Sequence, residues 1–444
     1  MRVGQILAAA AAACMIASAV QAEEPKAMNG TGKEAAAAAE DGLPLPRGTP
    51  EDVGMSSARL ARIGATLKAD VDAGRLPGAV VLVARHGKIV YYEAVGWRDK
   101  DAHAPMTKDT IFNIASMTKP MVTVGALMLS EQGRLFVDDA VAKYLPQFKS
   151  MKVAVLEDGG ATIKETVPAE RAITIQDLMR HTSGLIYGGR GTTAVHKMYP
   201  AGSAVAAMTL TGDEFLEKLG SAPLLYQPAT VWDYGFGLDV LGLLLEKETK
   251  QSLGAYLEAA LWKPLGMVDT GFSIPPEKAS RYAKALANDP DTGKPQKVDP
   301  DATKPVKFDC GGGCAVSTAS DYLRFALMLM NHGRLGDTRI LGRKTVEYML
   351  ADQLGPNIKN LIGRADPTRA DYGFGLGLAV RRTEGVVRLM GSVGDFSWPG
   401  ASGTNWWVDP REELAVVFLA HSPGPIRWHY RQAINALVYE AIED

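Results

Sequence analysis

An excess of charge of either sign is the first thing this chain lacks. Its 444 residues carry 48 Lys and Arg against 50 Asp and Glu, a formal net charge of −2. No global basic field is available to attract nucleic acid or anionic lipid, and no basic tract with interleaved aromatics occurs. Both absences argue against a nucleic-acid partner. Long hydrophobic runs are scarce as well. Beyond the N-terminus nothing approaches the roughly 18–20 apolar residues of a membrane span, so no stable span is expected in the mature protein. Cysteine is rare, with three in the chain. The sequence has no G-x-S-x-G elbow, no H-E-x-x-H, no G-x-G-x-x-G leading into a helix and no P-loop. The commonest markers of α/β-hydrolases, zinc proteases, dinucleotide enzymes and nucleotide hydrolases are therefore missing.

What is present is ordinary globular composition, 46% hydrophobic and 22% charged. Residues 1–22 read as a signal peptide: Arg2 is a positive start, residues 5–17 form a short apolar stretch, and Val20-Gln21-Ala22 precedes a cut. The expectation is a cleaved, periplasmic or secreted protein rather than an N-terminally anchored one. Cys14 lacks the Leu three residues earlier that a lipoprotein site would show. Residues 23–48 read as a flexible lead-in rich in Ala, Glu, Gly and Pro. Cleavage leaves Cys310 and Cys314, in Asp-Cys-Gly-Gly-Gly-Cys. In an oxidising compartment a disulfide is open to them, as are free thiols. A zinc site is the weakest of the three readings, because no third ligand stands nearby.

Leu60, Ile63, Leu67 and Val71 have helical spacing and predict a helix over 57–74. Two strand-like runs follow, 78–85 and 88–95, with His86-Gly87 between them as a two-residue hairpin signal. An apolar helix is expected over 117–132, stopped by Gly133. From about 135 to 310 the pattern gives helices (174–181, 212–219, 235–249, 252–262) broken by loops, then a helix over 319–332. Strands are expected again at 373–381, 386–391, 403–409 and 413–420, and a helix at about 427–442. Strands at both ends with helices between predict an α+β fold. Its antiparallel sheet, flanked by helices, would come from residues 49–134 and 311–444, with an inserted, mainly helical domain at 135–310.

The chemistry candidate is Ser116-Met117-Thr118-Lys119. A serine hydroxyl needs a base to become nucleophilic. Residues three apart on a helix share a face, so Lys119 can reach the Ser116 oxygen. A helix N-terminus and burial both disfavour an ammonium, which would fit Lys119 for proton transfer. The Ser116 N–H at that terminus could receive an oxyanion. On its own S-x-x-K is a weak signal, since a helix-capping serine with a surface lysine looks the same. The strand-like Ile111-Phe112-Asn113-Ile114 before it and the apolar helix after it give it weight.

In that context Phe112 to Lys119 (FNIASMTK) resembles the nucleophile motif of the serine β-lactamase and penicillin-binding-protein superfamily. Leu178 to Leu185 (LMRHTSGL), Gly311 to Phe325 (GGGCAVSTASDYLRF) and Gly394 to Pro410 (GDFSWPGASGTNWWVDP) continue the likeness in the right order, over about residues 50–440. Within the superfamily the chain resembles class C β-lactamases and, more closely, the family VIII carboxylesterases. The resemblance implies a β-lactamase/transpeptidase-like fold, Ser116 as acylated nucleophile and Lys119 as its proton partner. It makes Tyr234, in Trp232-Asp233-Tyr234-Gly235-Phe236, the general base. It also makes the N–H groups of Ser116 and Ala401 the oxyanion hole. Trp398-Pro399-Gly400 would be the third motif, with Trp398 an apolar wall, and Trp398, Pro399, Gly400 and Phe236 would meet substrate. No metal or organic cofactor is implied. Of the seven histidines, His181 falls in a motif where the resemblance gives it a structural role, and Asp239 is expected to be a packing carboxylate.

Two departures set the expected reaction. Phe236 stands where a lactamase of this branch has asparagine, and Trp398 stands where a cation would pair with a penicillin carboxylate. A neutral ester needs no such cation. The expectation is therefore a carboxylesterase for small or medium neutral esters, working through an acyl-enzyme on a small-molecule substrate. A β-lactamase, D-alanyl-D-alanine carboxypeptidase or amide hydrolase on the same site is the alternative, and a non-catalytic sensor on this fold is a further one. Pro399 removes a backbone donor and suggests a sheet edge or bulge. Oligomeric state is left open.

Overall fold

The computed structural model describes residues 42–296 and 301–444. The stretch 1–22, expected to be a signal peptide, and all but the end of the expected lead-in 23–48 lie outside the described residues. Strands β1 (Gly78–Arg85), β2 (Lys88–Asp99) and β3 (Ala104–Pro105) come from the first third of the chain. β4 (Gly373–Phe374), β5 (Ala379–Val380), β6 (Phe396–Ser397), β7 (Asn405–Asp409) and β8 (Leu414–Ala420) come from the last. They join in one antiparallel sheet of order β4-β5-β6-β7-β8-β1-β2-β3, so the seam between the two chain ends is the β8–β1 pair. His86 and Gly87 both take positive φ, 47° and 75°. A two-residue hairpin whose twist matches its strands requires that.

β1 is buried at all eight positions because both sheet faces are covered. Val80, Leu82 and Ala84 face one core; Ala79, Val81 and Val83 face the other. The outer face is closed by helices α1 (Ser57–Asp72) and α5 (Arg427–Tyr439), through Leu60, Ile63 and Leu67 and through Tyr430, Ile434 and Val438. The inner face packs on α2 (Thr118–Glu131) and α4 (Ala319–Met330). The same apolar cluster continues into α3 (Gly237–Thr249) and the helical middle of the chain.

Several expectations need correction. Residues 373–381 are two short strands, β4 and β5, instead of one. Gly377 turns the chain at φ +78°, and a Cβ there would lie 2.2 Å from Thr123 Oγ1 on α2. The stretch 386–391 forms no strand. Gly385, Gly391 and Gly394 all take positive φ around it, and Val386 and Met390 point to solvent, 60% and 53% exposed. The helix expected at 174–181 covers only Ile175–Met179, because His181 takes φ 56°. The helix expected at 252–262 passes into a π-turn at Glu258–Trp262. The middle segment also holds an antiparallel hairpin, Lys152–Glu157 with Thr162–Pro168, where helices and loops were expected. Pro399 sits at neither an edge nor a bulge. It follows the end of β6, an interior strand only two residues long, so its missing donor breaks no ladder bond. Among the described residues no helix is long and apolar enough to cross a membrane.

Candidate active site

Ser116 is placed by a short strand pair, Phe112–Asn113 against Val316–Ser317. After it the chain turns sharply. Ala115 takes φ 44°, a strained conformation for a residue with a Cβ. The Asn113 side-chain oxygen accepts the Ala115 N–H at 2.8 Å and holds that turn. Residues Ala115–Met117 then form one 3-10 turn before α2 begins at Thr118. Tyr322 on α4 donates to the Met117 carbonyl at 2.8 Å, and Thr118 Oγ1 to the Ala115 carbonyl at 2.6 Å. Ser116 is left half-buried on a turn fixed from both sides.

Lys119, in the first turn of α2, is completely buried. Its Nζ donates to Ser116 Oγ at 3.4 Å, to Tyr187 Oη at 3.2 Å and to the Gly312 carbonyl. Tyr234 comes from the loop leading into α3. Its hydroxyl lies 2.7 Å from Ser116 Oγ, and the Trp398 Nε1–H donates to that hydroxyl at 3.0 Å. Two cations flank the Tyr234 ring, Lys119 Nζ at 4.5 Å and the Arg190 guanidinium at 5.4 Å from its centroid. Ser116, Lys119 and Tyr234 thus form one hydrogen-bonded cluster. Trp398 reaches it as a hydrogen-bond donor, a role that an apolar wall would not have.

A layer behind this cluster was not expected. Tyr187 Oη contacts Ser203 Oγ at 2.9 Å and donates to Asp239 Oδ2 at 3.3 Å. Ser203 donates to the same oxygen at 2.8 Å, and the Gly312 N–H to Asp239 Oδ1 at 3.0 Å. Burial pushes the Asp239 carboxyl above the ordinary aspartate range, against the pull of Lys119. Burial and then the Asp239 charge push the Tyr187 phenol well up. Asp239 is therefore more than a packing carboxylate, since it anchors both groups that hold Lys119. Gly312 is bracketed by a Cys310–Cys314 disulfide, which resolves the three readings of that pair. Glycine is required at 312 because a Cβ would lie 2.2 Å from Asp239 Oδ2.

His181 lies among Trp232, Tyr234 and Phe374. Burial, then the charges of Lys119 and Arg190, hold it well below the ordinary histidine value. It is a neutral packing residue whose Nδ1 accepts from the Gly235 N–H, and it does not touch Ser116.

The third motif is pinned to the nucleophile turn. Ser402 Oγ donates to the Asn113 carbonyl at 2.5 Å and Thr404 Oγ1 to the Ile114 carbonyl at 3.3 Å. A Cβ at Gly400 would lie 2.4 Å from the Ile114 carbonyl, so only glycine allows this approach. Arg431 holds the Gly400 carbonyl at 2.6 Å. These contacts bring the exposed Ala401 beside the Ser116 turn. Phe236 does not line the site. It is fully buried under Tyr187, ring centroids 4.5 Å apart, and packs on Phe215. The resemblance placed it at substrate as the counterpart of the asparagine that a lactamase of this branch has two after the tyrosine; here the aromatic turns into the core. A cavity of about 570 Å³ between Trp262, Phe272 and Asp309 includes none of Ser116, Lys119 and Tyr234.

The Beta-lactamase family profile matches residues 63–439. Protein Rv1367c of Mycobacterium tuberculosis is 35% identical over 367 residues, 81% of this chain and 89% of its own length. Esterase EstB of Burkholderia gladioli is 31% identical over 410 residues, 87% of this chain and 98% of that protein. Among solved structures, EstCE1, described as a hydrolase with promiscuous acyltransferase activity, superposes with a TM-score of 0.68 at 26% identity. It covers 86% of this chain and 99% of its own.

Proposed function

The chain belongs to the Beta-lactamase family and is a serine hydrolase, and from that premise we propose that it is a carboxylesterase acting through an acyl-enzyme on Ser116. The observation that carries this reading is the Tyr234 hydroxyl, 2.7 Å from Ser116 Oγ and 3.0 Å from the Trp398 indole nitrogen. An indole N–H in this place supports the negatively charged form of the Tyr234 oxygen, the form that can take a proton. It offers no cation to a lactam carboxylate.

In the proposed cycle Tyr234 acts as a phenolate: Ser116 Oγ attacks the ester carbonyl and its proton passes to the Tyr234 oxygen, which becomes a neutral phenol. Lys119 holds Ser116 and balances the charge. The N–H groups of Ser116 and Ala401 receive the tetrahedral oxyanion. As the carbon–oxygen bond to the alcohol breaks, Tyr234 returns the proton to the leaving oxygen. A water then attacks the acyl carbon by the same proton route, releasing the acid and restoring Ser116. Export is part of the proposal. It is supported by the leader-like residues 1–22 and by the Cys310–Cys314 disulfide, a bond that persists in oxidising compartments.

The test is a paired assay on purified protein with p-nitrophenyl butyrate and a chromogenic cephalosporin, each beside Ser116→Ala. Ester cleavage lost in Ser116→Ala, with slow lactam opening, is the expected result. Ester cleavage that survives the substitution removes Ser116 as nucleophile. Efficient lactam opening moves the reading to a β-lactamase.

A further inference from the structure

The third motif carries no cation, yet the structure brings one to the site from elsewhere. Arg190 ends a short turn, Gly188–Arg190, that begins directly after Tyr187. The turn is pinned: the Gly188 N–H donates to the Pro200 carbonyl at 2.8 Å and the Gly189 N–H to the Ala201 carbonyl at 3.0 Å. The Arg190 guanidinium lies 5.4 Å from the Tyr234 ring centroid, and one of its nitrogens donates to the Arg364 carbonyl at 2.6 Å. The residue is solvent-exposed, so a charge reachable from solvent lies beside the ring of the tyrosine that touches Ser116.

Its charge is uncompensated. Among the described residues no carboxylate lies within ion-pair distance of Arg190. The carboxylates of neighbouring segments are engaged. Asp366 is paired with Arg431 at 2.9 Å, and Asp233 accepts from Tyr226 Oη at 3.1 Å and from the Tyr234 N–H at 2.9 Å. Arg427, whose charge interacts unfavourably with that of Arg190, adds to the positive field. A guanidinium anchored by one hydrogen bond, with no ion pair among the described residues, retains N–H donors suited to a carboxylate.

We propose that Arg190 is a specificity-determining residue. It receives a carboxylate carried by the substrate at the end remote from the scissile ester, so the preferred substrates are half-esters of dicarboxylic acids. This rests on the esterase reading above and widens its substrate class from neutral to anionic esters.

The experiment compares kcat/KM for mono-p-nitrophenyl glutarate with that for p-nitrophenyl butyrate in the full chain, in Arg190→Gln and in Arg190→Lys. The readout is the glutarate-to-butyrate ratio, which cancels any effect of the substitution on Tyr234 itself. The ratio is expected to fall about tenfold in Arg190→Gln and to recover in part in Arg190→Lys. In the unsubstituted chain it should fall as salt is raised, a reading that requires no variant to fold. A ratio unchanged in Arg190→Gln and insensitive to salt overturns the assignment and leaves the esterase reading standing. Absence of Ser116-dependent cleavage of either ester removes the esterase reading and this inference with it.

Discussion

Trp398 shows how one side chain can replace a charge without keeping its function. Its ring contacts Tyr234, Trp232 and Phe374, and its carbonyl is fixed by the Trp406 Nε1–H at 3.0 Å. The indole is therefore held in one orientation, with its N–H on the Tyr234 oxygen. Trp398→Phe keeps most of the packing and removes only that donor. A single hydrogen bond to a charged group contributes about 1.5–3 kcal/mol, and here it favours the phenolate that takes the proton. The substitution should therefore lower kcat for p-nitrophenyl butyrate by about tenfold or more, with a nearly unchanged Tm. A normal kcat in a folded variant would show that Tyr234 works without the indole.

At the scale of elements, the loop from Cys310 to Cys314 is the part whose job is least visible from its composition. Three consecutive glycines make it flexible, yet the Gly312 carbonyl must stay on Lys119 and the Gly312 N–H on Asp239. The disulfide closes a ring around them and removes freedom from the unfolded chain, an effect of about 2 kcal/mol for so short a loop. Cys310→Ser with Cys314→Ser should lower Tm and also kcat, because Lys119 loses its fixed acceptor. A lower Tm with full kcat at a temperature where the variant is folded would confine the bond to stability.

The same loop shows what could be read in advance. The motifs around Ser116, Lys119 and Tyr234 are local strings and were legible, as were β1, β2 and β8, where apolar runs meet clear turn residues. Tyr187, Ser203, Asp239 and Gly312 were not, because the cluster joins segments as much as 193 residues apart, as in the Lys119–Gly312 pair. Phe236 misled because its position in a motif says nothing of which way its ring turns. The hairpin at Lys152–Pro168 escaped notice because its second strand is mostly exposed and has no apolar alternation to read.

At the scale of the whole molecule, α4 joins the sheet to the nucleophile turn, packing on the inner core and reaching Met117 through Tyr322. Its first turn carries Asp321, almost fully buried, which accepts from the Asp269 N–H at 2.7 Å and from Thr270 Oγ1 at 2.9 Å. Burial nevertheless wins and pushes the Asp321 carboxyl up to about 6. In the unfolded chain an aspartate loses its proton near 3.9. Between those values the folded state holds the extra proton, so this group's contribution to stability falls as pH rises through the window. Above about 6 the full penalty is present, on the order of 3 kcal/mol for a gap of about two units. Asp395, pushed up to about 6 beside Arg381, acts in the same direction. Asp321→Asn keeps an acceptor for both donors and cannot ionise. The Tm difference between about pH 5 and about pH 8 should therefore be smaller in Asp321→Asn than in the unsubstituted chain, with the remainder including the part due to Asp395. An identical difference in the two proteins would mean that Asp321 is ionised throughout, and that its two hydrogen bonds outweigh its burial.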